Sequence, residues 1–588
     1  MFLRIISLLI ASSTITACSL LPTNQASNNL DVIEDSKSLM VNGNNSNIAP
    51  SNTSITPDRP FPAPTLYSLL VAEIAGQRQQ FDISLVNYLD QAEKTQDPNI
   101  AERATHIAQY MGATKYTLHA AKIWANSDPE NPQAHQALAQ AFMIEGDFSN
   151  ALKHMEAVFN LVGDSQFDYL ALNAQELSAN EKYSLLQQFE ALIQKHSEYS
   201  QLWMAKGTLL LQLENYSDAL ISFEQALSLR PHYTAASISK ARALHKLEKT
   251  EEALAWLDEL HDQQPKHKGI GVLRARILID LARYSEARAA FQHLNQQFPD
   301  DQSIKLSLGL LNIELQEYDE AIATLTPLTL SRPIANEAYF YLARIAEIQE
   351  DYPRALLSLN QVQQGRQFLP AQLQTLRILM QEEGINAARD YLSRTRSQHP
   401  NFNTKLVQLE IELLIQEDDI PEAYNVANLA LNEEPDNTDF LYSRGLLAEK
   451  LDNIEQLETD LRRIIQLNPN DAEAMNALGY TLADKTNRLA EAQALVEQAN
   501  KLAPNTPAII DSLGWIHYRL GNLDKALVLL QSAYSEFPDH EVAAHLGEVL
   551  WQLDRNDEAQ DIWQQGLEAN PESSIIKETQ KRLNTDAP

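Results

Sequence analysis

Ala219, Ala253, Ala287, Ala321 and Ala355 stand 34 residues apart, and Pro231, Pro265, Pro299 and Pro333 keep the same step twelve positions behind them. A fixed period of this length marks one supersecondary unit copied along the chain, each copy too small to bury its apolar face without its neighbours. The sequence therefore predicts an all-α row of helical hairpins rather than a globule around one core. In the unit from Ser200 to His232, Trp203 and Leu210 line the first helix, and Ala219, Phe223 and Ala226 form the matching face of the second. Pro231 ends the unit because it lacks the amide that a continuing helix needs. The small series Gly207, Ala241, Ala275, Gly309 and Ala343 lets the paired helices cross at short distance. Phe223, Leu257, Phe291, Leu325 and Leu359 fill the groove beside that crossing.

The C-terminal half keeps the rhythm less strictly. Pro400, Pro435, Pro469, Pro504, Pro538 and Pro571 are separated by 33 to 35 residues, and Gly445, Gly479, Gly514 and Gly547 return at the close-approach position. Leu376 and Ile411 occupy that position in two intervening units, so altered curvature is expected near residues 363 to 440. Before residue 200 the pattern is degenerate: residues 67–98, 101–129 and 132–163 each read as a hairpin, while 164–198 read as helical without a clear phase. About twelve to fourteen hairpins are expected in all. This period, with its glycines, alanines and prolines, resembles the tetratricopeptide (TPR) repeat. That resemblance implies a solenoid, a right-handed superhelix of helical hairpins, whose concave face is lined by the first helix of each pair and binds other polypeptides.

The ends are organised differently. Arg4 precedes the apolar run Ile5 to Ala11, which is too short to span a bilayer and has the form of a secretory signal. Ile15-Thr16-Ala17-Cys18 resembles a bacterial lipobox, which implies a lipoprotein signal peptide over 1–17 and acylation of Cys18. Several acyl chains at about 0.8 kcal/mol per buried methylene make a stable membrane anchor. Ser19, in place of aspartate, resembles enterobacterial signals for the outer membrane, so the expected location is its periplasmic face. Residues 18–60 are rich in Asn and Ser and read as a disordered tether with a reach of roughly 35 Å. The expected organisation beyond it is degenerate hairpins over 61–199, regular repeats over 200–367, further repeats over 368–571, and a capping helix and tail over 572–588. Cys18 is the single cysteine, so an internal disulfide is impossible.

Lys and Arg total 46 against 79 Asp and Glu, a net charge of -33. Phosphate neutralisation dominates nucleic-acid affinity, so DNA and RNA are poor partners for such a chain. The charge either serves solubility alone or steers a basic protein partner towards the chain.

The scan for chemistry returns no catalytic residues, metal ligands, cofactor or small-molecule substrate. Gly269-Ile270-Gly271 is a lone Gly-x-Gly inside a predicted helix, without the preceding strand that a phosphate site needs. His540 and His545 are five apart, roughly 140° around a helix, and His540 is read in the turn after Pro538. A different group of residues points to binding. Phased by their glycines, the last units place Tyr480, Trp515, Tyr518 and Trp551 at first-helix positions that line the concave surface. Large aromatics there are either interface anchors or rings packed within the solenoid.

Two stretches carry a closer resemblance. One is Phe61-Pro62, Thr65-Leu66-Tyr67 and Val71-Ala72-Glu73-Ile74-Ala75-Gly76-Gln77-Arg78. The other is Asp511-Ser512-Leu513-Gly514-Trp515 with Tyr518-Arg519, continued by Glu541-Val542-Ala543-Ala544-His545-Leu546-Gly547-Glu548. These resemble outer-membrane TPR lipoproteins of gamma-proteobacteria, in particular the family whose Pseudomonas member is the lipoprotein binding partner of a periplasmic carboxy-terminal processing protease. The resemblance implies a non-enzymatic adaptor that gathers the protease and its peptidoglycan hydrolase substrates. An assembly or pilot lipoprotein for a secretin, pilus or wall complex would share every feature except these two stretches.

Overall fold

The end of each hairpin's first helix determines how the chain reverses. Glu214, Glu248, Ala282, Gln316 and Glu350, again 34 residues apart, all have φ between 56° and 60°. The amide that follows each one reaches five residues back: Asn215 to the Leu210 carbonyl at 2.9 Å, Lys249 to Leu244 at 3.0 Å, and Arg283 to Leu278 at 2.8 Å. This left-handed closure satisfies the last carbonyls of the helix and turns the chain into its partner. The same turn recurs at Asp418, Asp452 and Asp554, with Gly112, Gly146 and Gly521 supplying the positive φ elsewhere.

The computed structural model describes residues 61–585; the expected signal peptide, Cys18 and tether lie outside the described residues. Among the described residues there are thirty-one α-helices and three short 3-10 segments, arranged as fifteen hairpins and a final single helix, Ser574–Thr585. None of these helices is long and apolar enough to cross a membrane. The chain divides into two compact units, one ending at Val362 and the other starting at Gln363. The first holds nine hairpins from Ala63 onward; the second holds six and the final helix.

Crossing distances follow the small residues. A Cβ built on Gly207 would lie 2.5 Å from the Phe223 ring, and one on Gly309 would lie 2.6 Å from Leu325. Phe223, Leu257 and Leu325 are fully buried at these crossings, and Phe291 is nearly so.

Three features depart from the sequence reading. The first helix begins at Ala63 rather than near residue 67, because Pro64 fits a helix's first turn. The unphased stretch 164–198 is a further hairpin: a seven-residue helix Phe167–Asn173, a 3-10 turn Ala174–Glu176, and the helix Ala179–Lys195, started by a capping box between Ser178 and Glu181. That hairpin brings the number to fifteen, above the expected twelve to fourteen. The second helix of one regular unit is cut short at Leu325 and continues as the 3-10 segment Thr326–Leu330, since Pro327 cannot donate to an α-helical ladder. Leu376 and Ile411, the bulkier residues at the close-approach position, are buried, 2% and 4% exposed.

Ala282 offers a direct check on the turn, because its exposed side chain carries the cost of a left-handed conformation with no compensating bond. Ala282→Gly should stabilise the chain by about 0.5–1 kcal/mol. The check is a thermal melt followed by circular dichroism; an unchanged or lowered midpoint would contradict this account of the turn.

Candidate protein-binding face

In the second unit the first helices Thr438–Lys450, Ala472–Lys485, Pro507–Arg519 and His540–Gln552 carry the aromatics singled out in the sequence and their neighbour Tyr442. Each start is set locally. Asn437 Oδ1 accepts from the amides of Asp439 and Phe440 at 3.1 and 3.2 Å, Asp471 Oδ1 from Ala474 at 2.9 Å, and Asp539 Oδ1 from Glu541 at 2.8 Å. Pro507 fills the first position of its helix, where no amide bond is lost. His540 is thus the first residue of a helix and not part of the turn, because Asp539 rather than the residues beyond it is the cap.

Glycines fix the depth of each helix pair. A Cβ at Gly479 would lie 2.4 Å from Val496, at Gly514 2.6 Å from Leu530, and at Gly547 2.1 Å from Nε1 of Trp563. With the second helix pressed against the glycine, the residues that follow it, Tyr480, Trp515 and Glu548, each meet a residue of another first helix: His545, Asp484 and Tyr518.

Three of the four predicted aromatics come together. Trp515, 7% exposed, stacks on His545 with centroids 4.3 Å apart and planes at 25°. Its indole nitrogen donates to Asp484 Oδ1 at 3.2 Å, and its ring lies 4.9 Å from Tyr518. The Tyr480 hydroxyl is 3.3 Å from His545 Nε2. Tyr518 donates to Glu548 Oε1 at 2.7 Å. Trp551 stands apart, 5.8 Å from the Trp563 ring. Tyr480, Tyr518 and Trp551 remain half-buried and reachable, whereas Trp515 is a packed ring that shapes the face from beneath.

The sequence reading missed the polar half of this arrangement. His545 Nδ1 faces both carboxylate oxygens of Asp511, at 3.0 and 3.1 Å. Arg582 on the final helix grips Glu548 through two bonds of 2.9 and 2.6 Å. Both pairs are 34 residues apart, so a search for opposite charges one repeat apart would have found them. His540 has a separate partner, with Nδ1 3.1 Å from Ser573 Oγ. Tyr480, His545 and Asp511 form a line of polar contacts that joins three hairpins.

The TPR repeat-containing protein PA4667 of Pseudomonas aeruginosa is 44% identical to this chain over 488 residues, 83% of this chain and 82% of that protein. The chain belongs to this family of tetratricopeptide-repeat proteins. Tetratricopeptide repeat models match residues 278–345 and 517–583, and another matches 481–541. A model described as anaphase-promoting complex, cyclosome, subunit 3 matches residues 212–294. Bacteriophage adsorption protein A of Escherichia coli is 29% identical over 101 residues, 17% of this chain and 10% of that protein. Among solved structures, the APC/C hetero-tetramer Cut9-Hcn1 is 14% identical, covering 89% of this chain and 96% of that one with a TM-score of 0.31.

Electrostatics on this TPR face run one way. Burial raises the Tyr480 hydroxyl well above its usual value, and the charges of Asp484, Asp511, Glu541 and Glu449 add to the rise. Burial and Glu473 push Tyr442 up as well, and burial with Glu548 does the same to Tyr518. The phenols are neutral and the surrounding field is negative. For His545, burial disfavours the cation, but the Asp511 carboxylate beside it, with Asp484 and Glu541, outweighs burial and lifts the imidazole above its ordinary value.

The unfolded imidazole titrates near 6.5, below its folded value, so the ion pair's stabilisation is complete below about pH 6.5 and is lost as pH rises through the folded value. His545→Gln should remove that slope: the wild-type melting midpoint should fall relative to the variant's as pH is raised through neutrality. Parallel pH profiles would contradict the assignment.

Proposed function

We propose that this TPR protein is a non-enzymatic, lipid-anchored adaptor on the periplasmic face of the outer membrane, gathering a periplasmic carboxy-terminal processing protease and its peptidoglycan hydrolase substrates. The observation that carries the binding role is the row of half-buried aromatics, Tyr442, Tyr480, Tyr518 and Trp551, set one per hairpin along successive first helices. Rigid aromatics offer large contact area at low entropic cost, which makes them interface anchors. The finer identity of the partners is supported by the resemblance carried by residues 61–78 and 511–548. Acylation at Cys18 would hold both partners near the wall, and tethering two proteins to one chain turns their encounter into an intramolecular event.

The test is a pull-down from detergent-solubilised envelope with wild-type protein and with Tyr518→Ala combined with Trp551→Ala, helicity being checked by circular dichroism. The wild type should recover a processing protease together with cell-wall hydrolases, and the variant should lose them by about tenfold or more, as expected for two anchor residues. Recovery of a multimeric pore protein in their place would overturn the adaptor reading in favour of a pilot lipoprotein. Cys18→Ser should release the protein from the membrane fraction.

A further inference from the structure

We propose that the first-helix face of the second unit takes an extended, lysine- or arginine-bearing segment of a partner protein, its cations lodging between the aromatic rings and the carboxylates of helices Thr438–Lys450 to His540–Gln552. This rests on the adaptor reading and names the chemistry of the segment the adaptor holds.

Three independent features of the face converge on a cation. The first is the placement of acid. Asp439, Glu473 and Glu541 occupy the second position of three of the four first helices and are exposed, while Glu449 and Asp484 lie half-buried behind them. The charges of Glu449, Asp484, Asp511 and Glu541, one from each of four successive hairpins, all bear on the single Tyr480 hydroxyl. Most of the basic residues on the same helices are engaged elsewhere. Arg444 is drawn to Asp460 of the second helix at 2.6 Å and to Asn428 at 2.7 Å. Arg519 donates to the backbone carbonyls of Ala483 and, at 2.8 Å, Asp484. Lys485 stays on the face and pairs with Asp484 at 3.0 Å, so the uncompensated acid of the face is Asp439, Glu473 and Glu541.

The second feature is the pairing of acid with aromatic planes. Carboxylates beside Tyr442, Tyr480 and Tyr518 offer charge-assisted hydrogen bonds and a ring face to the same cation, and guanidinium and ammonium groups gain from both. A negatively charged segment would meet like charge at every hairpin.

The third is a cation already seated at the end of the row. The final helix lies where the next first helix would come, and its Arg582 places a bidentate guanidinium on Glu548, the same carboxylate that holds the Tyr518 hydroxyl. Glu548 is 2% exposed, so the arginine is the group that makes its burial possible. The protein thus fills its last aromatic and carboxylate position from its own chain, while Asp439, Glu473 and Glu541 on the other first helices remain exposed.

The experiment uses the full chain and two synthetic peptides of equal length, one alternating Lys with Ser and one alternating Glu with Ser, titrated calorimetrically at low and high salt. Glu473→Gln with Glu541→Gln removes two charges from the face. Glu433→Gln with Glu536→Gln removes two from exposed ends of second helices and serves as the charge-matched control. The lysine peptide should bind, weaken as salt is raised, and lose about tenfold or more in affinity to the face variant while the control variant stays within about twofold. Equal binding of both peptides, no binding of the lysine peptide, or equal losses in the two variants would overturn the proposal. If it is overturned while the envelope pull-down still recovers protease and hydrolases, the adaptor reading stands and the held segment is chosen by other contacts. An empty pull-down sinks the adaptor reading whatever the peptides do.

Discussion

One steric relation underlies the architecture: a small residue at the eighth position of most of the first helices, pressed by a large side chain of the second. Gly207 under Phe223, Gly309 under Leu325, Gly514 under Leu530 and Gly547 under Trp563 leave no room for even one added carbon. Cores pack at crystal density, so this contact fixes the distance and the rotation of the two helices together. Rotation also decides which residues reach other hairpins: with the glycine facing inward, Tyr480, Trp515 and Glu548 beside it contact His545, Asp484 and Tyr518 of other first helices.

A second layer of specificity comes from polar pairs one repeat apart. Asp511 with His545 ties one hairpin to the next through two side chains withdrawn from water, and the buried Glu548 ties the last hairpin to the half-exposed Arg582 of the final helix. Buried ion pairs of this kind are weak sources of net stability, yet leaving one partner unpaired is costly, so they penalise any slip in how hairpins stack. Arg444 with Asp460 works similarly within a single hairpin, and Arg389 with Glu410 binds neighbouring ones. Apolar packing alone, with alanine and leucine at equivalent places in every copy, would not distinguish one neighbour from another.

Much of this was legible before any coordinates. The 34-residue period, the glycine and alanine series and the terminal prolines gave the hairpins, because each marks a steric demand that recurs in every copy. Residues 164–198 were opaque for the opposite reason: Phe167–Asn173 is too short to show a helical period, and it runs into a 3-10 turn. His540 was misread as a turn residue because Pro538 is a stronger signal than the Asp539 cap. For the binding face, sequence supplied the aromatics but could not tell exposure from burial. Trp515 became a packed ring only through His545, which lies in the following hairpin and was weighed only as a metal ligand.

The central claim is that the row of first helices in the second unit is the surface that grips another polypeptide. Site-specific photocrosslinking in intact envelopes tests it most directly, with the crosslinking amino acid placed at Glu541 on that row or at Val528, an exposed position on a second helix. The account predicts discrete protein adducts from position 541 and none from position 528. Adducts from position 528 with none from position 541 would contradict it.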